Sequence, residues 1–169
     1  YGGLFPTFGA GIPGPTLEVS KRAIKMHRQL APWLRDEIGV DPEFRASSSL
    51  DVGLTQEGLE ELDSQSNWWD KQGFDFERLD ASSVTEYERS LTTNIIGGIL
   101  HRSHFELDSY RFTLGLATAF EKAGGTIRYG AVSEILPGDA GPSVKLSSGD
   151  VITAATIVLC TGPWAGAPD

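Results

Sequence analysis

Three short stretches of this 169-residue sequence carry residue types and spacings that could do chemistry. The first is GAGIPG, residues 9–14, which spells the G-x-G-x-x-G fingerprint of dinucleotide binding. That motif works when a buried strand leads into it and a helix N-terminus offers free backbone N–H groups to a pyrophosphate. Here Pro6 interrupts the lead-in YGGLFPTF and cannot donate within a central strand. Pro13 and Pro15 flank the last glycine and have no N–H at all. Glu37 lies at the ribose-binding distance but in a helical pattern, not at a strand end. The stretch reads as a Gly/Pro-rich loop. An NAD(P)-dependent enzyme gripping phosphate with these glycines would lack its donors.

The second stretch is His101-x-x-His104, followed by Glu106 and Asp108. Metal ligands three apart converge on a helix. At the end of a strand, which is how this segment reads, the two histidines form a polar strand end or a substrate-facing pair, and no metal site is assigned. The third stretch is IVLCTGPWAG, 157–166. A continuous apolar run that stops at glycine predicts a buried parallel strand. Its end would deliver Thr161 and Gly162 to the edge of a sheet where ligands bind. Cys160, inside the run, reads as a buried core thiol. There is no G-x-S-x-G, no H-E-x-x-H and no P-loop. No catalytic acid or base can be assigned.

The elements that would position these residues follow from periodicity. Thr16 stands where a helix N-cap belongs. Ala23, Ile24, His27, Leu30, Leu34 and Ile38 then recur at helical spacing up to a stop at Gly39. Pro32 predicts a kink or two abutting helices. FRASSSLDVGL, 44–54, alternates like a half-buried strand. Thr55 caps a helix with Leu59, Leu62, Ser66 and Trp69 along one face and Gly73 at its end. A short helix starts at Asp80 or Ser82 and runs to about Glu88. NIIGGILHR, 94–102, is a strand with a glycine pair at its middle. Asp108 caps a helix whose buried stripe is Phe112, Leu116, Phe120 and Ala123. TIRYGAVSEIL is strand-like, and SVKLS–SGD–VITAA forms a hairpin.

Composition narrows the class. A net charge of −9 argues against nucleic acid and anionic membrane surfaces. No apolar run reaches the roughly 20 residues of a membrane span. One cysteine excludes an internal disulfide and fits a reducing, cytoplasmic compartment. With 40 % hydrophobic residues, the chain can build a core.

In their order, the segments resemble flavoprotein oxidoreductases of the D-amino-acid oxidase, glycine oxidase and sarcosine oxidase family. GGLFPTFGAGIPGP is similar to the stretch that passes the flavin. FRASSSLDVGLTQEGLEEL resembles the first strand and helix of the family's substrate domain. GGILHRSHFELDSYRFTLGLATAFEKAGGTIRYGAVSEI resembles the return into the flavin domain, and IVLCTGPWAG the second glycine motif. The resemblance implies a mixed α/β fold, part of a doubly wound FAD-binding sheet joined to part of an antiparallel substrate-domain sheet. It divides the chain into a flavin-proximal loop and helix (1–40), part of the substrate domain (41–106) and part of the FAD-binding domain (107–169). It places Gly2, Gly3 and Leu4 beside the isoalloxazine ring, Val132 at the adenine, and Thr161 and Gly162 near the pyrophosphate and ribityl chain.

The activity implied is oxidation of a C–N bond of a small amino acid or secondary amine, with hydride passing to FAD. The family's phosphate-gripping fingerprint is expected before Tyr1, and its C-terminal third after Asp169. A central segment of this kind could instead act as a non-catalytic module that binds no FAD by itself. It would expose apolar surface where other parts dock, so self-association through that surface is an expectation.

Overall fold

The structure is a computed structural model that describes residues 2–9, 11–91, 94–138 and 141–162. The chain divides into two compact units, Tyr1–Gly125 and Thr126–Asp169. The mixed α/β architecture is the one expected, and both sheets are antiparallel.

The first unit is organised around one strand. In chain order it contains β1 (Gly2–Leu4), α1 (Leu17–Trp33), β2 (Arg45–Gly53), α2 (Gln56–Lys71), β3 (Phe76–Asp80), α3 (Ala81–Tyr87), β4 (Gly97–Leu107) and α4 (Ser109–Lys122). β4 is the longest strand, and β2 pairs along nearly all of one edge. Its other edge is shared end to end, by β3 at Gly97–His101 and by β1 at Phe105–Leu107. A strand paired on both edges buries most of its side chains. In GGILHRSHFEL, Ile99, Leu100, His101, His104, Phe105 and Leu107 are buried, while Arg102 is exposed.

The glycine pair at the start of β4 has a steric reason. A Cβ at Gly98 would stand 2.6 Å from the Asp51 carbonyl oxygen and 3.2 Å from Val84 Cγ2. The carbonyl belongs to a paired strand and cannot yield. Gly98→Ala is therefore expected to destabilise the unit by about 1–3 kcal/mol. Urea unfolding of the variant beside the parent measures it, and an unchanged midpoint would refute the close approach.

Pro32 has the consequence expected of it. α1 ends at Trp33, and a five-residue π-helical turn, Leu34–Ile38, follows. Gly39 closes the turn at φ 85°, and its N–H donates to the Leu34 carbonyl. That left-handed conformation explains glycine there. The turn points Leu34, fully buried, at Gly115 of α4, whose absent Cβ would lie 3.2 Å from the leucine methyls.

Other helix ends follow the sequence closely. Thr55, Asp80 and Asp108 each accept a hydrogen bond from the backbone N–H three residues on, as side-chain N-caps do. The α4 stripe differs from expectation. Phe112 stacks on His27 of α1 at 4.9 Å, but Leu116 and Phe120 are exposed. In this unit α4 packs through its Gly115 flank against the π turn and through Phe112 against α1, while the Leu116 and Phe120 part of the predicted face is exposed.

The second unit is a three-stranded meander: β5 (Val132–Leu136), β6 (Ser143–Leu146) and β7 (Val151–Thr153). Only the later half of TIRYGAVSEIL forms a strand, while the hairpin that follows it is as read. The largest departure is at 156–162. The predicted buried parallel strand is not formed, Val158 and Leu159 are exposed, and so is Cys160. A buried parallel strand needs neighbours on both edges and a layer on both faces. Among the described residues no strand pairs with this run, so its apolar side chains stand in solvent and the Cys160 thiol is not a core group. Residues 163–166 of the glycine motif lie outside the described residues.

Candidate functional site

GAGIPG folds as the loop its prolines dictate. The Ile12 N–H donates to the Gly9 carbonyl at 3.1 Å, and Gly9, Gly11 and Gly14 all take positive φ. α1 begins only at Leu17, after both prolines. Ala10 lies outside the described residues. The loop is fastened to the sheet by its upstream end. Thr7, almost fully buried, accepts the indole N–H of Trp69 on its carbonyl at 3.3 Å. Its hydroxyl lies 2.7 Å from His104 Nε2.

His104 and His101 are the chemical centre of the unit. Both are fully buried in β4, away from any strand end, and their rings stack at 4.7 Å, 10° from parallel. The expectation that residues three apart need a helix to converge is corrected here by a β-bulge. His101 faces Ser49 and His104 faces Ser47, so Arg102 and Ser103 together oppose the single residue Ser48. The extra residue shifts the alternation and turns both imidazoles to one face. No signal in the sequence announced it, because the register of β2 against β4 sets it.

The two rings have different surroundings. His101 Nε2–H donates to Asp51 Oδ2 at 2.9 Å, and its buried Nδ1 has no partner. Trp69 meets His101 edge-on at 4.5 Å. His104 has both nitrogens on hydroxyls, Ser49 Oγ and Thr7 Oγ1, each at 2.7 Å. Phe5 and Phe8 touch its ring by their edges. Hydroxyls donate or accept as required, so a neutral imidazole is satisfied in either tautomer. Burial pushes the His104 pKa down to about 4, the neighbouring His101 adds to the effect, and Asp51 offsets part of it. Asp51, Phe8 and Trp69, with Thr7, Ile12, Pro13 and Gln65, line an open cavity of about 470 Å³ beside the stack. Among the described residues no three His, Cys, Asp or Glu side chains are grouped to hold a metal.

The shifted histidine makes an acid-stability prediction. The unfolded chain protonates His104 near its ordinary 6.5, the folded chain only near 4. Between those values the unfolded state binds more protons, so stability falls as pH drops through this window and is fully present above it. The loss amounts to about 3 kcal/mol. Denaturant melts at pH 7 and pH 4.5 should show it. His104→Gln should remove most of the difference, and an identical pH response in the variant would refute the assignment.

The residues that the resemblance placed at a flavin fall in both units. Gly2, Gly3 and Leu4 form β1, which pairs with β4 on one side only. No described strand pairs with its outer edge, whose backbone N–H and C=O groups can meet the polar rim of a ring system. Val132 opens β5, half exposed, opposite Leu146 and next to a register shift. Thr161 and Gly162 are exposed. Gly162 has φ +59°, with nothing within 4 Å of its absent Cβ. A ligand can reach that backbone without meeting a side chain. The first unit thus offers one open strand edge, and the second two exposed backbone segments.

Known proteins resemble this chain in sequence and in fold. The sequence profile of the FAD dependent oxidoreductase family matches residues 2–168. A D-amino acid dehydrogenase of Xanthobacter autotrophicus is 29 % identical over 136 residues, which are 78 % of this chain and 32 % of that protein. The chain thus spans about a third of the length of such curated relatives. Among solved structures, glycine oxidase from Geobacillus kaustophilus aligns with TM-score 0.85 at 21 % identity, over 97 % of this chain and 44 % of that one. L-proline dehydrogenase from P. horikoshii aligns with TM-score 0.79 at 18 % identity, over 99 % and 43 %. At such identities the structures speak for the fold alone, and the fold agrees with the profile. This chain belongs to the FAD dependent oxidoreductase family.

Proposed function

We propose that the protein built on this chain oxidises a C–N bond of a small amino acid or amine with FAD. The observation that carries the reading is a family match over residues 2–168, on a fold whose β1 edge and Gly162 backbone are open to a ligand. When bound, FAD supplies the acceptor for the hydride that leaves the substrate carbon. The substrate loses two electrons and two protons and becomes an imine, which water hydrolyses to a carbonyl compound and a free amine or ammonia.

In this reading Gly2, Gly3 and Leu4 hold the ring system by backbone contacts, Val132 meets the adenine, and Thr161 and Gly162 approach the pyrophosphate and ribityl chain. The work of this chain is to bind and orient; none of its residues is assigned as an acid or base. The reading supposes a cytoplasmic protein with a small-molecule substrate and no nucleic-acid partner. In the described residues no helix is long and apolar enough to cross a membrane.

The full-length protein should carry a visible flavin spectrum. Acid should release FAD from it in a one-to-one ratio, which chromatography of the supernatant will read. A colourless protein that stays colourless with added FAD would favour the rival reading, a binding or assembly module without redox chemistry.

A further inference from the structure

We infer that a second concavity of the first unit, between α1 and the bulge of β4, binds a small organic carboxylate with an apolar body. The pocket holds about 250 Å³, below the range of about 300–1,000 Å³ common for drug-sized ligands. Its occupant is correspondingly small. Three cations line it, Lys21, Arg28 and Arg102, against one carboxylate, Asp75. Glu18 and Glu77 offset two of these charges from outside the lining, which leaves Arg28 as the cation open to a ligand.

The cations are unequally committed. Arg102 is engaged by Glu77 at 2.6 Å. Lys21 Nζ donates to Gln72 Oε1 at 3.1 Å and lies 3.5 Å from Glu18. Arg28 makes no hydrogen bond or ion pair with any described residue; its guanidinium lies over the Phe105 ring at 4.7 Å. That contact holds the guanidinium over the ring, and its N–H groups have no partner among the described residues. A guanidinium fork matches the two oxygens of a carboxylate. Lys21 and Arg28 are seven residues apart on α1 and so share one face, which lets both reach one anionic head. Phe74 and Phe105 wall the pocket, and Lys21 also lies over the Phe74 ring at 5.6 Å. These rings give an apolar body somewhere to go, which inorganic phosphate would not use. The bulge that turns the two histidines to one face also brings Arg102 to this pocket.

Calorimetric titration of the protein with phenylacetate tests the site, with phenylacetamide and inorganic phosphate as comparison probes. Phenylacetate should bind saturably. Arg28→Gln should weaken it about ten-fold or more, the worth of one charged hydrogen bond. Lys21→Gln should weaken it several-fold, and phenylacetamide should bind as weakly as the Arg28 variant binds phenylacetate. Arg22→Gln, on the same helix but outside the pocket, should bind like the parent. Circular dichroism melts confirm that the variants fold, and two pocket variants keep the conclusion from resting on one. Absence of saturable binding to the parent, unchanged affinity in both variants, or phosphate binding as tightly as phenylacetate would each overturn the assignment. The readout needs no flavin, so it stands or falls apart from the oxidation proposed above.

Discussion

Trp69→Ala should cost about 3–5 kcal/mol, a large part of the stability of a domain of this size. Trp69 is 3 % exposed and ties four pieces of the unit together. It stands on α2, meets His101 of β4 edge-on, and packs near Phe76 of β3. Its N–H donates to the Thr7 carbonyl of the N-terminal loop. Truncation removes a large apolar surface and leaves a buried carbonyl without its donor. It also uncovers a histidine whose Nδ1 already lacks a partner. Denaturant unfolding followed by far-UV circular dichroism gives the number. Trp69→Phe, which keeps a six-membered aromatic ring but loses the five-membered ring with its N–H, should cost less. Equal losses in the two variants would mean that the hydrogen bond and not the packing dominates.

Leu34→Ala should cost about 2–5 kcal/mol. Leu34 is fully buried where the π turn packs against α4, and the notch it fills exists because residue 115 is glycine. The helix cannot slide in to close the gap, since Gly39 and the turn fix the backbone behind it. Leu34→Met, of similar volume, should cost less than about 1.5 kcal/mol. Thermal melts of the two variants side by side decide it. A loss below 1 kcal/mol for alanine would show that the packing of α4 on the turn is looser than described.

How much of this was legible from sequence depends on how local the cause is. Helix caps at Thr55 and Asp108, the stop at Gly39 and the effect of Pro32 are decided within a few residues and were readable, and Asp80 was one of two candidate starts. The loop at GAGIPG was readable too, because Pro13 and Pro15 keep the helix from starting before Leu17. Three things were not readable. The bulge that aligns His101 with His104 is a register shift between two strands, and its cause lies about fifty residues away on β2. The exposure of Leu116 and Phe120 depends on which layer covers α4. The state of 156–162 depends on neighbouring strands, which its own apolar pattern cannot supply. Gly2–Leu4, Val132, Thr161 and Gly162 came from family resemblance; the structure gives their backbone environment, and their contact with the cofactor remains the proposal.

The histidine stack carries a lesson of its own. A lone H-x-x-H invites a metal reading. Here one ring is held by two hydroxyls and kept neutral by burial, while the other leans on Asp51. Their evident work is to anchor the loop that follows β1 and to fix the wall of the adjoining cavity.

Anaerobic mixing of the full-length flavoprotein with amino-acid and amine substrates tests the central claim most directly. A panel of glycine, sarcosine, proline and D-alanine covers the substrate class. At least one member should bleach the flavin absorbance without oxygen. Deuterium on the carbon that bears nitrogen should slow that bleaching, because the C–H bond breaks in the step observed. A flavin spectrum that no amine or amino acid bleaches, under conditions where dithionite does, would contradict the account.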